Sequence, residues 1–204
     1  RVLSGATGAV LLGPTPVPGG GTGGPPTIAD FDGDGVPEIG VAAQKKYAVY
    51  KPDFAGGTLP VLWSAPNHDL SSSVTGSSVF DFEGDGMAEV VYNDECFLWI
   101  YEGATGAVRL TQLTTSFTST EASIVADVDD DGHADIVVIS NGIDPSAAGW
   151  GCDVAPWNQA DDANNRIAWL PAVGGGSYRG ITVYADLESS WVGTRTLWNQ
   201  HAYS

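Results

Sequence analysis

The chain has 204 residues, a formal net charge of −17, and only eight Lys and Arg against 25 Asp and Glu. With no basic stripe to neutralise phosphates, nucleic acid is excluded as a partner. No apolar run approaches the roughly 18 residues of a membrane span. An apolar fraction of 43% is that of a globular protein, and 27 glycines with 12 prolines suit short strands joined by tight turns, so the class is all-β.

In chain order, Ser4-Gly5-Ala6-Thr7-Gly8-Ala9-Val10-Leu11 comes first and returns almost unchanged as Glu102-Gly103-Ala104-Thr105-Gly106-Ala107-Val108-Arg109. The second copy reads as a turn into the fourth strand of a repeat. Residues 1–16 therefore read as the tail of a preceding repeat, and the lack of an initiating Met fits a processed or truncated chain. A Gly- and Pro-rich connector follows at 17–26.

From there a unit of about 45 residues recurs, a period that signals a repeat array. Its first strand is expected at 26–29, 77–80 and 122–126. The second is expected at 39–43, 90–92 and 136–139, the third at 47–50, 97–101 and 181–184, and the fourth at 59–63, 107–110 and 196–198. The second strands are apolar nearly throughout, which predicts cover on both faces. The units run 26–66, 74–114 and 119–204, the last interrupted by an insertion at about 142–180. A loop so long is uncommon without structure or purpose of its own.

Between the first two strands of each unit lies an acidic nonapeptide, at 30–38, 81–89 and 127–135. Positions one, three, five and nine are carboxylates: Asp30, Asp32, Asp34 and Glu38; Asp81, Glu83, Asp85 and Glu89; Asp127, Asp129, Asp131 and Asp135. Position six is always glycine, which permits a sharp turn. Four carboxylates in nine residues repel one another unless a hard, oxygen-seeking cation joins them, so three Ca2+ sites are predicted. Position seven would give a backbone carbonyl, which leaves its side chain free to vary as Val36, Met87 and His133. Magnesium is the other ion weighed, and three solvated acidic turns the bland alternative. A site closed by so many oxygens leaves little room for substrate, so the metal is read as structural. Sites of micromolar to millimolar affinity are most useful outside the cytosol.

These three loops and their flanking strands resemble FG-GAP or VCBS repeats, the blades of integrin-alpha-like β-propellers. Gly76-Ser77-Ser78-Val79-Phe80 stands where such repeats carry a small-residue segment. The resemblance covers most of 1–141 and 180–200, and not the insertion. It implies a β-propeller of four-stranded antiparallel blades, with metal in the hairpin loop between each blade's first two strands. Three blades and a fragment are fewer than the usual four to eight, so a partial propeller is expected. The resemblance also implies an extracellular or cell-surface module of adhesion, surface assembly or scaffolding. Its partner would be a protein, a glycan or other copies of itself.

Cys96 and Cys152 are the only cysteines; they pair in an oxidising compartment or remain two thiols, and spacing does not decide. Trp150, Trp157, Trp169 and Trp191 could stack on sugars, which would make a lectin, but packing under the insertion or between blades is the favoured reading. His68 and His201 are isolated, and His133 lies in a loop. No Gly-x-Ser-x-Gly or His-Glu-x-x-His motif occurs, so no catalysis is expected. An accessory domain of a larger secreted enzyme is a further reading.

Overall fold

The computed structural model describes residues 1–118, 122–143 and 151–196. A short hairpin, β1 (Val2–Leu3) and β2 (Val10–Leu12), precedes three antiparallel sheets. Sheet one holds β3 (Thr27–Ala29), β4 (Glu38–Ala42), β5 (Lys46–Tyr50) and β6 (Val61–Pro66), side by side in chain order. Sheet two repeats this with β7 (Ser78–Phe80), β8 (Glu89–Asn93), β9 (Phe97–Tyr101) and β10 (Val108–Leu113). Sheet three has β11 (Ile124–Ala126), β12 (Asp135–Asn141) and β13 (Arg179–Ala185). None of these sheets closes on itself among the described residues. The expected fourth strand of the third unit, with Trp198, runs beyond the described residues, as do Trp150 and His201.

Sheet two lies between the other two, which explains its composition. Successive side chains of a strand point to opposite faces. On β9, Phe97, Trp99 and Tyr101 pack toward sheet one with Tyr47, Val49 and Trp63, while Leu98 and Ile100 pack toward Val125, Ile136 and Val138 of sheet three. Every residue of β8 and β9 is therefore buried, and an uninterrupted apolar run is what such a strand requires. Between sheets one and two the rings meet directly: Tyr47 stacks on Tyr101 at 5.8 Å and meets Tyr92 at 5.6 Å. Burying each such ring stabilises by about 1.5–3 kcal/mol. The outer face of sheet one, with Ala48 and Tyr50, is covered by Leu12 and Val2 of the first hairpin.

The first strands of the sheets adjoin one another, β3 beside β7 and β7 beside β11. Small hydroxyl residues join them. Thr27 Oγ1 donates to Ser77 O at 3.1 Å, Tyr47 Oη and Ser77 Oγ lie 2.7 Å apart, and Ser78 Oγ donates to Ser123 O. The segment Gly76 to Phe80 is thus small because strands approach closely there.

The two Gly-Ala-Thr-Gly turns fold alike. Ser4 N–H donates to Ala9 O and Gly8 N–H to Ser4 O, both 2.8 Å; Glu102 N–H to Ala107 O and Gly106 N–H to Glu102 O repeat both distances.

The insertion has its own order. Cys152 forms a disulfide with Cys96 of the β8–β9 turn, which settles the pairing left open by sequence. Arg166 is buried, donates to the Trp157 and Pro156 carbonyls at 3.1 and 3.0 Å, and lies over the Phe97 and Trp157 rings. Trp169 Nε1 donates to Thr114 O at 3.1 Å. Trp157 and Trp169 therefore pack the insertion onto sheet two, and Trp191 packs on Phe82 at 4.6 Å.

Candidate metal centre

Each acidic loop folds around its own first carboxylate. Gly35, Gly86 and Gly132 at position six have φ of 82°, 90° and 88°, where a side chain would be strained. The chain doubles back there and brings amide N–H groups onto position one. Asp30 accepts from Gly33 and Gly35, each at 2.8 Å. Asp81 accepts from Gly84 at 2.7 Å and Gly86 at 2.8 Å, and Asp127 from Asp131 at 3.2 Å and Gly132 at 3.1 Å.

Position nine is the first residue of the second strand, not part of the loop proper. Glu38, Glu89 and Asp135 begin β4, β8 and β12 and are buried, Glu38 completely. Each accepts the N–H of position two: Phe31 to Glu38 at 2.9 Å, Phe82 to Glu89 at 3.1 Å, Val128 to Asp135 at 2.9 Å. The Phe31 and Phe82 rings are buried and anchor the loop to the core. Position nine is thus pinned by a backbone N–H in all three loops.

The result is convergence. Asp30, Asp32 and Glu38 offer oxygens that all lie within 4.8 Å of one another, as do Asp81, Glu83 and Glu89, and Asp127, Asp129 and Asp135. Position five stands outside these groups. Asp34, Asp85 and Asp131 instead accept the N–H of position seven, from Val36 at 2.8 Å, Met87 at 2.9 Å and His133 at 2.8 Å. His133 also donates from Nδ1 to Trp191 O at 2.8 Å, which ties the third loop to the segment beyond β13.

Such proximity is electrostatically costly. Burial pushes Glu38 above the ordinary carboxylate range; the Phe31 N–H opposes this and the Asp32 charge adds to it. Burial likewise pushes Glu89 up to about 8, against the Phe82 N–H and with help from Glu83. Glu38 Oε1 and Asp32 Oδ1 are buried with no hydrogen-bond partner. Oxygen-only donors, clustered, with inward oxygens unpaired, fit a hard divalent cation. Asp30, Asp32 and Glu38 and their counterparts are the residues that would hold it.

Two residues that sequence reading missed also reach the loops. Lys51, just after β5, forms an ion pair with Asp32 and lies 2.6 Å from Asp34 Oδ2 and 3.6 Å from Glu38 Oε1. Those hydrogen bonds hold the Lys51 ammonium above its ordinary pKa, and the bond to Lys51 holds Asp34 below its own. Arg109 on β10 grips Glu83 through both terminal nitrogens and lies 3.5 Å from Glu89 Oε1. Their rarity was the available signal, with eight basic residues in the whole chain.

A second buried polar cluster involves no loop. His68 Nδ1 and Glu95 Oε2 are 2.7 Å apart, Asp94 accepts the amide N–H groups of His68, Cys96 and Phe97, and Asp69 accepts from Tyr92 Oη at 2.9 Å. His68, Cys96 and Cys152 lie close enough to suggest a metal, but the disulfide consumes both sulfurs. Apart from His68 Nε2, which is buried without a partner, the bonds of this cluster tie the turns between sheets together.

Residues 81–138, from the second acidic loop into β12, match the FG-GAP-like repeat. The crystal structure of the V. cholerae biofilm matrix protein Bap1 is similar, at 25% identity and a TM-score of 0.56, over 82% of this chain and 23% of that one. The chain thus spans about a quarter of that protein's length. No curated protein matches it.

Proposed function

We infer that this chain, a carrier of FG-GAP-like repeats, is a calcium-stabilised extracellular module of adhesion or surface assembly. Its three sheets are read as β-propeller blades, supported by their face-to-face packing and adjoining first strands. The first hairpin is read as part of another blade, supported by its shared turn with sheet two. The neighbour's place in a biofilm matrix supports an extracellular scaffold, with a protein, a glycan or further copies as partner. No helix of the described residues is long and apolar enough to cross a membrane. The reading assigns the chain no reaction.

One observation carries the calcium assignment: three loops bring the carboxylates of positions one, three and nine together, and in the first of them Asp32 Oδ1 and Glu38 Oε1 are buried and unpaired. Calcium would join the loop to the first residue of the second strand in each blade, with the position-five carboxylate and the position-seven carbonyl as further donors. The bound ion supplies charge neutralisation, and the chain supplies oxygens already held by backbone N–H groups.

The test is thermal unfolding of the chelator-treated protein with and without added calcium. At a hundredfold excess over Kd each site adds about 2.7 kcal/mol. For a chain of this size each kcal/mol raises Tm by about 2–4 °C. A rise of many degrees with calcium, and a smaller one with magnesium, is expected. Identical melts in chelator and in calcium would overturn the assignment.

A further inference from the structure

Lys51 and Arg109 come from different strands yet do the same thing. Lys51, just past the third strand of sheet one, and Arg109, on the fourth strand of sheet two, each carry a positive side chain onto positions three and nine of the acidic loop. Lys51 pairs with Asp32 and approaches Glu38; Arg109 pairs with Glu83 and approaches Glu89. Arg109 is also specially aimed. Val108 pairs with Tyr101 and Leu110 with Ile100, so Arg109 is the extra residue of a β-bulge. Bulges redirect a side chain. This one is fixed from behind, because Asn165 of the insertion donates Nδ2 to the carbonyls of Val108 and Arg109 at 3.0 and 2.9 Å.

We propose that Lys51 and Arg109 are tethered counter-ions of the first and second loops: they hold these loops closed when metal is scarce, and they compete with calcium for the same oxygens. The proposal rests on the calcium reading above and adds its regulation. An ammonium 2.6 Å from Asp34 Oδ2 and paired with Asp32 occupies space that a calcium ion bound to those oxygens would need. Like charges cannot share that volume, so binding must displace the side chain. Displacement is feasible because Lys51 and Arg109 are each about a third exposed, at 33% and 37%, and can swing into water. Arg109 is the stronger competitor, since its guanidinium engages Glu83 through two nitrogens and stays charged at all relevant pH. The first and second loops thus fill with calcium at higher concentrations than their carboxylates alone would need. Metal-free protein retains their shape.

Calcium titration by calorimetry on the whole chain, wild type against Lys51→Met and Arg109→Met, tests this. Two or three part-exposed ion pairs together amount to about tenfold in a binding constant. Each substitution should raise the affinity of one site about tenfold, leave the other sites unchanged, and lower Tm only in chelator. Lys51→Gln and Arg109→Gln repeat the test should either methionine variant aggregate. Calcium binding to wild type with affinities unchanged or weakened in the variants overturns the counter-ion role alone. Absence of calcium binding in wild type and variants alike overturns the calcium reading, and this proposal with it.

Discussion

Replacing Gly103 by alanine should pry the first two sheets apart, whereas the same change at Gly5 should do almost nothing. The two glycines occupy the same position in turns with the same two hydrogen bonds. Their surroundings differ. A Cβ on Gly103 would stand 2.2 Å from the Ala88 carbonyl oxygen and 2.7 Å from the Phe31 carbonyl oxygen; a Cβ on Gly5 meets nothing within 4 Å. Close carbon–oxygen contacts settle at about 3.3 Å or more, so the Gly103 turn must retreat by about 1 Å. Retreat stretches the buried Trp63 Nε1–H bond to Gly103 O, 2.6 Å, and disturbs the Ala88 N–H bond to Asp30 O, 3.0 Å. Both bonds join sheet one to sheet two. A buried donor left without its acceptor costs about 1–3 kcal/mol, and overpacking costs about 1–3 kcal/mol. Allowing for relaxation, Gly103→Ala should cost about 3 kcal/mol and Gly5→Ala less than about 0.5 kcal/mol. At about 2–4 °C per kcal/mol that is a fall in Tm of about 6–12 °C against one of about 2 °C or less. Urea unfolding and calorimetry of the two variants side by side would measure it. Equal losses would refute the reasoning, because they would place the need for glycine in the turn's own backbone.

The Cys96–Cys152 bridge spans 56 residues, and loop-closure entropy for that length is worth about 4 kcal/mol; reductant or Cys152→Ser should lower the urea midpoint accordingly, and an unmoved midpoint would count against the bridge. His68 gives a pH dependence. Burial presses its pKa down, but the Glu95 hydrogen bond and the Asp94 and Glu95 charges outweigh this and leave it raised. The folded-state value then exceeds the unfolded one of about 6.5, so its contribution is complete below about pH 6.5 and lost as pH climbs through the folded value. Relative to wild type, His68→Gln should be least stable at the acid end and converge on it toward pH 9 in metal-free buffer. A constant gap between the two Tm profiles would show that the histidine charge contributes nothing.

The fold was legible where one residue pattern had one physical cause. The strand pairs around each acidic loop stand within a residue or two of their expected places, because a Gly-bearing turn between apolar runs has few other solutions. The apolar runs of β8 and β9 announced burial on both faces, and sheet two is covered on both. The fourth strand of the first unit was less legible. It lies at Val61–Pro66, later than expected, because Pro60 gives its carbonyl to Lys51 N–H and the register shifts between Val49 and Tyr50. The insertion was illegible in form. Its order comes from a disulfide to Cys96, a tryptophan bonded to Thr114, and a buried arginine that joins the insertion's own carbonyls to the Phe97 ring, and none of these pairings follows a local sequence pattern.

The candidate site divides along the same line. Its acidic half was readable in part: the carboxylates of positions one, three and nine come together, while that of position five turns to the position-seven N–H instead. Position nine, the last residue of the nonapeptide, is structurally the first of the second strand. That explains its burial and why its charge must be offset locally. The basic half was unreadable. Lys51 reaches Asp32 across 19 residues and Arg109 reaches Glu83 across 26, and neither offset has meaning until the sheets are paired. Arg109 further depends on a bulge whose carbonyls are held by Asn165, 56 residues away. A local motif can therefore specify which oxygens gather, but what balances their charge is decided by strand register. Loops identical in motif can for that reason differ in how strongly they demand metal.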